Sequence, residues 1–126
     1  VFLKSIFQMA KIFSIPTFSD SRGSLSVIER ILPFDIKRVY YIYNVDDSER
    51  GYHAHKKTIQ ALIMLNGSCN VFVGDKNHST KFEMNSPENF LLLMPEDFHW
   101  MTNFSKGSIL LVLASHEFNT NDYILK

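Results

Sequence analysis

From Lys11 onward the chain is cut into short runs rich in Ile, Val, Phe and Tyr, each ended by turn-forming residues before a helix could complete three turns. The runs are Lys11 to Ile15, Gly23 to Glu29, Arg38 to Val45, Gly51 to Lys56, Ile59 to Asn66, Cys69 to Val73, Thr80 to Met84, Asn89 to Met94, Phe98 to Asn103 and Ser108 to Ala114. Between them stand Ser19-Asp20-Ser21-Arg22, Asp46-Asp47-Ser48-Glu49, Asn66-Gly67, Gly74-Asp75-Lys76-Asn77 and Pro95-Glu96-Asp97, whose side chains and backbones favour turns. Many short β-branched and aromatic segments at this spacing predict an all-β sandwich or barrel. The one helical candidate is short, Asn119 to Lys126, where Asn121-Asp122 can cap a turn.

The 126 residues, 45% of them apolar, suit one domain that buries roughly two-thirds of its unfolded surface. The chain starts with Val, and Met9-Ala10-Lys11 reads as a more natural beginning, so residues 1–8 are set aside as an extension and 9–126 are taken as the domain. Thirteen basic and thirteen acidic residues cancel without forming blocks, which argues against nucleic acid or an anionic membrane as a partner. No apolar run approaches the ~20 residues of a membrane span and no signal-peptide core is evident, so the cytoplasm is expected. The single cysteine, Cys69, lies in an alternating stretch and reads as a core thiol. His78 and His116 read as solvated.

Chemistry concentrates in Arg50-Gly51-Tyr52-His53-Ala54-His55, followed by Gln60 and Gly67, and in a later cluster, Pro95-Glu96-Asp97-Phe98-His99-Trp100-Met101-Thr102-Asn103. Two histidines at i and i+2 on a strand project from one face and can converge on one ligand. Neutral imidazoles can hold a metal or move a proton, so the pair leaves both chemistries open. A neutral amide at Gln60 is a poor substitute for a carboxylate that would offset a cation's charge, and it favours acid–base chemistry without a metal.

The spacing His53-x-His55, then Gln60, then Gly67, then Pro95 and His99-x-x-x-Asn103, resembles the two motifs of the cupin superfamily. Two departures stand out: Gln60 occupies the place of a glutamate, and Asp97 stands near a usual glycine. The resemblance implies a cupin jelly roll, in which two sheets enclose a pocket. A closer resemblance spans about Lys11 to Ile124. Ser21 to Glu29, Phe34 to Tyr43, Arg50 to Lys57 with Gln60, Trp100-Met101 and Leu111 to Ser115 resemble the dTDP-sugar 3,4-ketoisomerases, small cupin enzymes. That family's implied activity moves the keto group of dTDP-4-keto-6-deoxyglucose from C4 to C3, ahead of amination toward the deoxyamino sugars of bacterial surface polysaccharides. It also implies no cofactor, no metal, and a homodimer that exchanges N-terminal strands.

Such an isomerisation needs a base for the C3 proton, an acid, and a group to offset an enediolate. His53 and His55 are the expected proton-transfer pair, with His53 as principal base. Tyr41 is expected to hold or protonate a sugar oxygen, with Tyr43, on the same strand face, as its fallback. Arg50 suits the enediolate or a diphosphate, and Arg22 and Lys56 suit the nucleotide or its phosphates. Gln60 offers donor and acceptor to the sugar. His99 stands where cupins place a third histidine and either lines the pocket or packs beside Trp100. Two other functions fit the same residues: a metal-dependent cupin using His53, His55 and His99, and a sugar-binding cupin without turnover.

Overall fold

The computed structural model describes residues 10–125, so the extension expected at 1–8 lies outside the described residues. The elements in chain order are β1 (Lys11–Ser14), β2 (Thr17–Asp20), β3 (Gly23–Ser26), β4 (Arg38–Ile42), β5 (Arg50–His55) and β6 (Gln60–Asn66). There follow β7 (Cys69–Gly74), β8 (Ser79–Met84), β9 (Asn89–Leu93), β10 (His99–Thr102), β11 (Ile109–Ala114), a 3₁₀ turn (Thr120–Asp122) and β12 (Tyr123–Leu125).

Two five-stranded antiparallel sheets form, in the orders β1-β9-β6-β11-β4 and β12-β5-β10-β7-β8, with β2 and β3 as a separate hairpin. Because side chains alternate across a strand, each strand of the first sheet sends every second residue into a core shared with the second. Leu62, Met64, Leu91, Leu93, Leu110 and Val112 meet Cys69, Val71, Met84 and Met101 there. The opposite face of the first sheet, with Ala61, Ile63, Phe90 and Leu113, is covered by Ile28, Ile31, Leu32 and Phe34 from the segment between β3 and β4. This all-β arrangement is the expected jelly roll. Cys69 is a core residue with its sulfur 3.7 Å from Met64 Sδ, and burial pushes its thiol up to about 12.

The expected C-terminal helix is replaced by a single 3₁₀ turn and a strand. Asn119 caps the turn by accepting from the Asn121 backbone N–H. The chain then extends, because Tyr123, Ile124 and Leu125 pair with His55, Ala54 and His53, and ladder bonds on the open edge of β5 outweigh what one further helical turn would supply. Strand β2, absent from the sequence-based segments, is made by its partner β3. Side-chain hydrogen bonds link Thr17 to Ser26 and Ser19 to Ser24, and the Ser21-Arg22 turn closes the hairpin.

Candidate active site

Strand β5 carries the site because it departs from regular geometry. Residues 50 and 53 have opposite parity, so an unbroken strand would send Arg50 and His53 to opposite faces. In the ladder with β10, His53 opposes His99 while Gly51 opposes Trp100, which leaves Tyr52 as the extra residue of a bulge. Gly51 (φ 96°) and Tyr52 (φ 62°) take the left-handed backbone that the bulge demands. A Cβ at Gly51 would sit 3.0 Å from the His99 carbonyl oxygen, so glycine lets β5 and β10 close up. Past the bulge, Arg50 and His53 line one cavity. Tyr52 turns outward and stacks on Trp100, which stacks in turn on Phe72.

The cavity lies between the sheets, with a volume of about 180 Å³. The second sheet contributes Arg50, His53, His99 and Tyr123, and the first contributes Arg38, Tyr40 and Gln60. The His53 ring centroid stands 5.1 Å from that of His55 and 4.9 Å from that of His99. His53 is half-buried and fronts the cavity, while His55 is buried behind it. Burial lowers the pKa of His53, and the neighbouring His55 lowers it further. Burial also lowers that of His55, against the raising effect of Asp122. His99 is 3% exposed, its Nδ1 donates to the Asp97 carbonyl at 3.0 Å, and burial takes its pKa down to about 4. All three imidazoles are therefore neutral near pH 7 and able to accept a proton.

Opposite them, Gln60 Nε2 donates to the Tyr40 phenolic oxygen at 3.0 Å. Since that oxygen accepts from Gln60, its own proton is left for a ligand. Burial raises the Tyr40 pKa, so the phenol stays protonated as a donor, and Arg38 lies 4.4 Å from its ring centroid. The site thus places neutral bases and the Arg50 guanidinium on one wall, and a neutral acid with the Arg38 guanidinium on the other. Among the described residues, no group of three or more His, Cys, Asp or Glu side chains is placed to hold a metal ion.

His53, Arg50, Gln60 and His99 of the expected set line the cavity, and His55 backs it. Tyr41 and Tyr43 do not reach it. They are 61% and 58% exposed on the opposite face of the β4 segment, with their rings 5.7 Å apart, and the aromatic that points inward is Tyr40. The register of β11 against β4 decides this. Tyr40 pairs with buried Val112, on the cavity side, while Tyr41 pairs with Leu111, on the outer side. Arg22 lies at the tip of the β2–β3 hairpin, paired with Asp20 at 2.6 Å, and Lys56 is exposed in a shallow cleft beside residues 116–122; neither lines the cavity of its own chain.

Four site residues escaped sequence reasoning. Arg38 and Tyr40 could have been found by following the parity of β4 from a known inward residue. Tyr123 and Asp122 could not, because their chain segment reaches the site only through pairing with β5. Asp122 Oδ2 lies 2.9 Å from His55 Nδ1 and 2.5 Å from Thr58 Oγ1, and its Oδ1 accepts from the Lys57 backbone N–H at 2.8 Å.

A jelly roll whose enclosed cavity is fronted by an HxH strand is a cupin, and comparison with known proteins narrows the class. The family model described as WxcM-like, C-terminal (FdtA) matches residues 8–126. The TDP-4-oxo-6-deoxy-alpha-D-glucose-3,4-oxoisomerase of Aneurinibacillus thermoaerophilus is 44% identical over 117 residues, covering 90% of this chain and 84% of its own. A 3,4-ketoisomerase from Helicobacter canadensis superposes with a TM-score of 0.88 at 42% identity, over 93% of this chain and 90% of the other. A mutant of the 3,4-ketoisomerase QdtA from Thermoanaerobacterium thermosaccharolyticum, solved with TDP-4-keto-6-deoxyglucose, gives a TM-score of 0.89 at 41% identity, over 93% and 87%. The chain belongs to the FdtA family, that of the cupin-fold sugar 3,4-ketoisomerases.

Proposed function

We propose that this chain moves the keto group of dTDP-4-keto-6-deoxyglucose from C4 to C3 through an enediol(ate), using its own side chains as acid and base and no metal. The observation that carries this reading is the convergence of neutral His53, His55 and His99 with the Gln60–Tyr40 pair on one cavity. The close relatives named as ketoisomerases, and the QdtA structure holding the 4-keto sugar, support the substrate.

His53 takes the C3 proton, since it fronts the cavity and burial keeps it neutral. Electrons from the C3–H bond form the C3–C4 double bond and charge moves onto the C4 oxygen. The Tyr40 hydroxyl donates toward that oxygen, and Arg38 and Arg50 offset its charge. The C4 oxygen takes up one proton and C4 another, while the C3 hydroxyl loses its own and the C3 carbonyl forms; two protons leave and two return, so no net proton or electron is consumed. Arg50 at the exposed rim also suits the diphosphate. The product, a 3-keto sugar, is set for amination in deoxyamino-sugar synthesis.

We further propose that the protein is a cytoplasmic homodimer whose N-terminal strands cross between copies. A two-stranded hairpin alone is marginal in water. Among the described residues β2 and β3 pair only with each other, and Phe18 and Leu25 stand 65% and 59% exposed. An equally bare apolar strip, Val39, Tyr41 and Tyr43, lies on the outer face beside β4 and suits a second copy. Among the described residues no helix is long and apolar enough to cross a membrane.

The test is proton NMR of dTDP-4-keto-6-deoxyglucose in D₂O with EDTA-treated protein. The expected result is the 3-keto sugar with deuterium at C4, and deuterium at C3 of the remaining 4-keto sugar; the same reaction in H₂O keeps H4, whose ring couplings report the C4 configuration. Unchanged substrate with EDTA that turns over after metal is restored would select a metal-dependent cupin. Binding without turnover in either case would select a binding module. Sedimentation of the same sample is expected to give a dimer.

A further inference from the structure

We propose that Asp122 is a positioning residue for this isomerase, holding His55 in the Nδ1–H tautomer so that Nε2 carries the lone pair of the proton relay behind His53. The proposal rests on the isomerase reading above and adds the C-terminal turn to the site.

The geometry is closed on three sides. The Lys57 backbone N–H can only donate, and it fixes Asp122 Oδ1 as an acceptor at 2.8 Å. The Thr58 hydroxyl and His55 Nδ1 share Oδ2 at 2.5 and 2.9 Å. These bonds join residues more than sixty positions apart, so the carboxylate is anchored to the loop after β5 while β12 pairs with β5 itself. A carboxylate between such donors accepts, which puts the imidazole proton on Nδ1. Nε2 is then buried without a hydrogen-bond partner among the described residues. An unpartnered buried acceptor is costly in a structural histidine and useful in one that receives a proton. When His55 takes that proton, the Asp122 charge offsets the imidazolium, as a carboxylate partner does for any general base.

Burial opposes ionisation of Asp122, but hydrogen bonds from Thr58, Lys57 and His55 outweigh it and hold the carboxyl below its ordinary value, so it is charged throughout the working range. The groups facing His55 are Asp122 from the turn, His53 on its own strand, His99 on β10, Tyr123 on β12 and Arg38 on β4. Asp122 is the one anion among them.

Asp122→Asn makes a sharp test. The Lys57 N–H requires the amide oxygen on its side, which turns the amide NH₂ toward His55 Nδ1. That nitrogen must then accept, and the ring proton moves to Nε2. The expected results are a kcat lowered ~10²-fold or more with KM changed by less than ~3-fold, and an acid limb of the pH profile displaced to lower pH, since the carboxylate that raised the His55 pKa is gone. Long-range ¹⁵N–¹H correlation of the imidazoles should show His55 protonated at Nδ1 in the native protein and at Nε2 in the variant. A folded variant with native kcat and an unmoved acid limb would overturn the proposal. So would a native His55 protonated at Nε2, a reading that needs neither substrate nor a foldable variant. Native protein that shows the Nδ1–H tautomer yet turns over no keto sugar would instead bring down the isomerase reading, and this relay with it.

Discussion

Strands β4 and β5 flank the same cavity, yet they reach it by opposite means. On β5 the residue types announce chemistry, since two histidines and an arginine within six positions are hard to explain by packing, and an irregularity sets where they point. On β4 the backbone is regular, and aromatic or apolar residues occupy both parities: Tyr40 and Ile42 inward, Val39 and Tyr41 outward. The contrast separates two kinds of information. Residue identity locates a site when the residues are rare and polar, whereas for common aromatic residues only the face locates it.

The largest effect expected on that contrast is within β5. His53→Ala should lower turnover by ~10²–10⁴-fold or more, with the fold intact by circular dichroism. Near-native turnover in a folded variant would remove His53 as base. Next is the irregularity itself. Gly51→Ala must place a Cβ 3.0 Å from the His99 carbonyl at φ 96°, and urea denaturation should show a loss on the order of 2 kcal/mol. Kinetics on the same variant should show reduced kcat, because the bulge puts Arg50 and His53 on one face; an unaffected variant would mean that this face is set elsewhere.

A smaller effect tests β4. Tyr40→Phe is expected to reduce kcat/KM on the order of tenfold by removing one hydrogen bond to the sugar. Tyr41→Phe, on the outward face, should stay within about twofold. The reverse ranking would show that the substrate meets the other side of the strand. The smallest predicted signal is in the pH profile. His53 and His55 have pKa values lowered from 6.5, chiefly by burial, so the neutral bases persist as pH falls through 6.5. Activity should be lost only further into acid, and an acid limb at or above 6.5 would contradict the burial of this pair.

Much of the fold was legible because its periodicity is short-range. Ten of the twelve strands among the described residues follow from alternating or β-branched runs closed by turn residues, and the core thiol at Cys69 follows from the same alternation. β2 and β12 were not legible, since Thr17–Asp20 and Tyr123–Leu125 become strands only by pairing, the one with β3 and the other with β5. In the site, His53, His55, Gln60, Arg50 and His99 stood out as residue types at informative spacing. Tyr41, Tyr43, Arg22 and Lys56 were chosen for chemistry they do possess, but their positions turn that chemistry away from this chain's cavity.

The sequence by itself determined the strand-rich class, the HxH strand and the neutral amide in place of a carboxylate, because each depends on residues close together in the chain. Tertiary structure alone decided which tyrosine faces inward, how Arg50 joins His53, and that Asp122 stands behind His55. Those three outcomes depend on register, on a bulge, and on a contact spanning more than sixty residues, and each is fixed by which strand lies alongside which rather than by any local preference of the chain.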